Sequence, residues 1–107
     1  MALLDLLGRR WVLRIIWELH RAGREPLTFR ALQARCHGMS SSVLSRRLGE
    51  LRQGRLVEKA PRGYALTDAG ADLIASLKPT LDWSTRWARA LEEPLTQHAR
   101  GDPPQPQ

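Results

Sequence analysis

The chain has 107 residues with 17 Lys/Arg against 11 Asp/Glu, a length that fits one folded domain and leaves little room for a second core. One cysteine, Cys36, excludes an internal disulfide framework and suits a reducing compartment. No uncharged apolar run is long enough for a membrane span, and the short apolar opening before Arg9 and Arg10 does not fit a signal peptide, so a cytoplasmic location is expected.

The charge is unevenly placed. Residues 1–62 carry 13 Lys/Arg and 5 Asp/Glu, whereas residues 63–107 carry 4 and 6. A basic first part points to a polyanion partner. Of the 17 basic residues 15 are Arg, the side chain suited to bidentate phosphate and guanine contacts; an Arg-rich codon bias would give the same count.

In chain order, Leu4, Leu7, Trp11, Val12, Ile15, Ile16 and Leu19 recur at helical spacing and predict one amphipathic helix from Leu3 to Ala22, nicked at Gly8. Gly23 and Pro26 stop it. Thr28 caps a second helix from Phe29 to about Cys36, with Phe29, Leu32 and Cys36 facing inward. His37-Gly38 is a turn. Ser40, Ser41 and Ser42 then open a third helix that ends at Gly54, with Leu44, Leu48 and Leu51 as its buried stripe. Two short helices across a tight turn form a helix-turn-helix candidate.

Leu56–Ala60 and Tyr64–Leu66, joined by Pro61-Arg62-Gly63, predict a short hairpin, the wing. Thr67-Asp68 starts a long helix through Leu73, Leu77, Leu81, Ala88 and Leu91, which Pro79 is expected to kink. The fold class expected is therefore mainly α with a small β-hairpin: a winged helix-turn-helix with a long C-terminal dimerisation helix. Residues 1–92 form that domain, and the proline-rich residues 93–107 read as a disordered tail.

At about 100° per residue, Ser42, Arg46, Gly49 and Gln53 fall opposite the leucine stripe, with Ser45 beside them and Arg47 at the stripe's edge. Such a helix can enter a major groove with Arg46 on guanine and Ser42 and Ser45 on bases or phosphate, and Arg47 is counted among the DNA-binding residues. Ser40 and Ser41 lie where unpaired N–H groups favour a phosphate. Arg30 and the hairpin-tip Arg62 are further phosphate candidates. Leu77, Leu81 and Leu91 form one stripe of the last helix and Trp83 and Trp87 a neighbouring face. With Leu4, Leu7 and Trp11 of the first helix they are the expected homodimer interface.

Catalytic, metal and cofactor roles find no support. His20, His37 and His98 lie on separate elements, zinc spacing is absent, and there is no Gly-rich phosphate loop.

The segments LLGRRW, LTFRAL, GMSSSVLSRRLGELRQGRLVEK, GYALTDAGADL and LDWSTRW resemble the HxlR family of bacterial winged-helix regulators over about residues 4–91. The MarR family shares the helix, wing and L-T-x-x-G pattern. Gly8-Arg9-Arg10-Trp11, Phe29 and the Trp83/Trp87 pair favour HxlR. The resemblance implies a homodimer that binds a double-stranded DNA operator, often as a repressor. The Pro61–Gly63 wing is shorter than the family's usual one. The cysteine that several members carry ahead of the first long helix, linked to redox or electrophile sensing, is absent. Two other readings stay open: a winged-helix module that docks a protein rather than DNA, and a MarR-like regulator gated by a small molecule.

Overall fold

The structure, a computed structural model, describes residues 2–23 and 25–93. The expected tail lies outside them from residue 94 onward. Seven elements follow in order: α1 (Ala2–Leu7), α2 (Val12–Arg21), α3 (Phe29–Arg35), α4 (Ser41–Gln53), β1 (Val57–Ala60), β2 (Gly63–Leu66) and α5 (Asp68–Leu91). This is the winged helix-turn-helix architecture, with a two-stranded antiparallel hairpin and a long final helix.

Two compact units divide after Ser76. In the first, the core is built from Val12, Ile15, Ile16 and Leu19 of α2, Leu32 of α3, Leu44, Leu48 and Leu51 of α4, Val57 of β1 and Ile74 of α5, with Cys36 and Met39 filling the turn between α3 and α4. These are the three-and-four-spaced positions of each helix, as burial of one apolar face requires. In the second unit, α5 runs through Pro79 to Leu91 and carries Trp83 and Trp87 stacked at 5.8 Å between ring centroids.

The helix expected from Leu3 to Ala22 is broken at its expected nick, Gly8, but the break is wider than a nick. Residues 8–11 make an elbow between α1 and α2, with Trp11 left-handed at φ 80°. Gly8 marks the place, but periodicity could not report the left-handed turn at Trp11, because the residues on both sides keep helical spacing and the contacts that hold the elbow come from α4.

Side-chain caps open the later helices. Thr28 Oγ1 accepts from the Ala31 N–H, Ser40 Oγ from Val43 and Thr67 Oγ1 from Gly70, each satisfying one of the orphan donors of a first turn. The wing pairs Val57 with Leu66 through Ala60 with Gly63, so Gly63 belongs to the strand and the turn shrinks to Pro61-Arg62. Tyr64 also exchanges backbone hydrogen bonds with Leu27, at 2.7 and 2.9 Å. Gly63 has φ 141°, and a Cβ there would meet the Leu27 carbonyl at 2.5 Å. Only glycine lets the hairpin lie this close to the segment that leads into α3.

Candidate nucleic-acid interface

α4 presents three different surfaces. Leu44, Leu48 and Leu51 are buried. Ser42, Arg46, Gly49 and Gln53, on the opposite side, are all exposed, as are Ser40, Ser41 and Ser45 near its start. The Arg46 side chain makes no hydrogen bond or ion pair with the described residues. Ser40 Oγ is occupied by its cap and lies 3.3 Å from Ser42 Oγ. No large apolar side chain interrupts the outward face, and a Cβ at Gly49 would meet nothing within 4 Å.

The flanks differ. On one side, Arg47 is half-buried and turned away from the open face: its Nε donates to the Arg10 carbonyl at 3.0 Å and its Nη1 to both Glu50 oxygens at 2.9 and 3.1 Å. Its guanidinium is thus engaged within the chain. On the other side, a cleft of about 1010 Å³ opens between the end of α4, β1 and the start of α5. Gly49, Arg52, Gln53, Arg55 and Lys59 line it together with Glu58 and Asp68. Arg52, Arg55 and Lys59 were not singled out from sequence. Arg52 lies in the last turn of α4, Arg55 in the turn that follows and Lys59 on β1, and the return of the hairpin alongside α4 brings Lys59 to the other two. Arg62 is exposed at the wing tip and Arg30 on α3.

A second cluster also went unseen in the sequence. Glu18, only 2% exposed, receives Arg14 at 3.0 Å, Arg21 at 3.6 Å and Arg35 at 3.9 Å. Arg14 Nη2 also donates to the Arg35 carbonyl. A buried carboxylate requires such partners, and these fasten α2 to the end of α3. The one available signal was the spacing of Arg14 and Arg21 around Glu18, at i−4 and i+3.

Of the expected interface residues, Leu4 (64% exposed), Trp83 and Trp87 (53% each) and Leu91 (63%) stand open to solvent. Leu7, Trp11, Leu77 and Leu81 are half-buried. Among the described residues no group of His, Cys, Asp and Glu is placed to hold a metal ion, and no helix is long and apolar enough to cross a membrane.

Residues 6–92 match the HxlR-like helix-turn-helix family. The chain is 32% identical over 90 residues to the uncharacterised HTH-type transcriptional regulator YvaP of Bacillus subtilis, covering 78% of this chain and 81% of that protein. Among solved structures it is similar to a possible HxlR family transcriptional factor from Thermoplasma volcanium, with 33% identity, a TM-score of 0.76 and coverage of 83% and 84% of the two chains. It is also similar to quinone-bound YodB from B. subtilis, with 30% identity, a TM-score of 0.71 and coverage of 79% and 93%.

Proposed function

The chain belongs to the HxlR-like helix-turn-helix family of transcriptional regulators, and from that premise we propose that it binds a specific double-stranded operator as a homodimer and represses transcription there. The observation that carries this reading is the outward face of α4. Its polar side chains are exposed, Arg46 is uncommitted, and a cationic cleft lies alongside.

In this reading α4 enters the major groove. Arg46 takes a base edge, Ser42 and Ser45 bases or phosphate, and the α4 start at Ser40 and Ser41 a phosphate. Arg52, Arg55 and Lys59 follow the sugar–phosphate backbone along the cleft, and Arg62 and Arg30 extend the positive track at either side. Arg47 has no place in this contact set, because its guanidinium is already occupied by Glu50 and the Arg10 carbonyl. A second copy covers the exposed apolar side chains of each unit, Leu4 in the first and Trp83, Trp87 and Leu91 in the second, because exposed aromatic area is what dimer interfaces use. Repression follows from steric exclusion of polymerase from the occupied DNA.

Selection of duplexes from a random pool tests the whole reading. The expected product is an inverted repeat whose half-sites lie about 34–36 Å apart, or a multiple of that. Recovery of a single asymmetric site would remove the dimer, and recovery of no common sequence would remove specific binding.

A quinone occupies the related YodB structure. A thiol-directed response in this chain would have only Cys36 to act through. That side chain is fully buried, and burial pushes its thiol above the ordinary value, with Arg14 opposing the rise and Glu18 adding to it. The thiolate is the reactive form, so the folded chain is expected to resist iodoacetamide at neutral pH while the urea-unfolded chain reacts readily. Equal alkylation rates in the two states would show that the site opens and is available to electrophiles.

A further inference from the structure

The elbow at residues 8–11 is fastened to the flank of α4 at two points, and α1 just before it adds a third. Arg9 Nη1 pairs with Glu50 Oε2 at 2.8 Å, and the Arg10 carbonyl receives Arg47 Nε at 3.0 Å. Leu6 of α1 reaches Gly54, its Cδ2 lying 3.6 Å from where a Cβ would stand. Residues 47, 50 and 54 lie along one side of α4, between its leucine face and its outward face. Arg47 Nη1 also bonds Glu50, so Arg9, Glu50 and Arg47 form one closed clamp.

The elbow's own residues do not favour this shape. Trp11 sits at φ 80°, a left-handed conformation that costs a bulky L-residue about 1–2 kcal/mol and persists where surroundings over-determine it. The apolar residues of 3–22 keep helical spacing straight through the elbow, with Gly8 the weak point of that path. Local preference and tertiary contact therefore pull in opposite directions, which is the condition for two arrangements close in free energy.

We propose that the elbow is a conformational strut for α4. With Trp11 left-handed, the Arg9–Glu50–Arg47 clamp holds α4 in the orientation that reads DNA. When residues 8–11 take up the helical path, the Arg9 side chain and the Arg10 carbonyl leave α4 together and duplex affinity falls. The inference rests on the DNA-binding reading above and adds its regulation. Glu50 and Arg9 are positioning residues in it, acting through α4.

The test uses the full chain with Glu50→Gln and the pool-selected duplex. Removing an acid beside a polyanion tightens binding if Glu50 is only a surface charge. The strut demands the opposite sign, a loss of about tenfold, and in the Glu50→Gln background Arg9→Met adds no loss beyond its effect as one cation. A second measurement needs neither DNA nor Glu50→Gln. Hydrogen exchange at the amides of residues 47–54 in the free chain is expected to speed up in Arg9→Met and to return toward wild type in Arg9→Lys. A residue that only touched phosphate would leave that exchange unchanged. Tighter duplex binding by folded Glu50→Gln, or unchanged exchange in Arg9→Met, overturns the strut and leaves the DNA reading standing. Failure of the wild-type chain to bind any duplex overturns both.

Discussion

Gly70→Ala is expected to destabilise the fold by about 3 kcal/mol or more, lowering the melting temperature by roughly 12–24 °C. Two effects oppose each other at this position. Gly70 lies in the first turn of α5, where alanine favours the helix by about 1 kcal/mol over glycine. Yet Gly70 is buried, and a Cβ there would be driven into the Leu56 carbonyl oxygen, with Leu66 Cδ2 only 3.1 Å away. The obstacle is backbone and cannot swing aside. Leu56 O accepts the Thr67 N–H at 3.1 Å, and Thr67 Oγ1 donates to Arg55 O at 2.6 Å. Relief of the clash would therefore pull apart the junction where α4, the wing and α5 meet. Thermal melting of the variant decides between the two effects, and a melting temperature equal to or above wild type would show that the junction yields.

Arg46→Ala is expected to relax discrimination at one base position by about 1–3 kcal/mol, a factor of roughly 5 to 150 in relative affinity. Arg46 stands at the middle of the exposed face of α4 with no described partner to lose, so its removal should leave stability nearly unchanged. Arg52→Ala is the control. Arg52 lies in the cleft beside the wing, where a phosphate contact carries no sequence information. Its loss should weaken selected and scrambled duplexes alike and flatten the salt dependence by about one unit of slope. Titration of both variants against both duplexes separates the roles. An Arg46→Ala variant that loses equally on both duplexes would make Arg46 another phosphate contact.

What the sequence made legible follows the range of the forces involved. The leucine stripe of α4, the serine and threonine caps and the hairpin turn depend on residues a few positions apart, and each was readable from spacing and residue type. Gly8 marked the place of the elbow, but the left-handed turn at Trp11 was not readable, because Arg10 meets Arg47 across 37 positions of sequence. The same holds for the cationic cleft, which needs the hairpin to bring Lys59 beside Arg52. Arg47 illustrates the cost of arguing from a helical projection alone. Its position at the stripe's edge is as expected, but its side chain turns toward the elbow rather than outward. Glu18 shows the converse case, a charged residue that burial made part of the core because three arginines from two helices converge on it.

The pairing of Tyr64 with Leu27 has a consequence for how a short wing can contribute. A two-stranded ribbon in water is marginal on its own, and a loose one must surrender its freedom each time a ligand is gripped. Here the ribbon is stitched to the lead-in of α3 by two main-chain bonds, which gives it in effect a third edge. Whatever Arg62 gains from a phosphate is then kept as affinity rather than consumed in bringing the hairpin to rest.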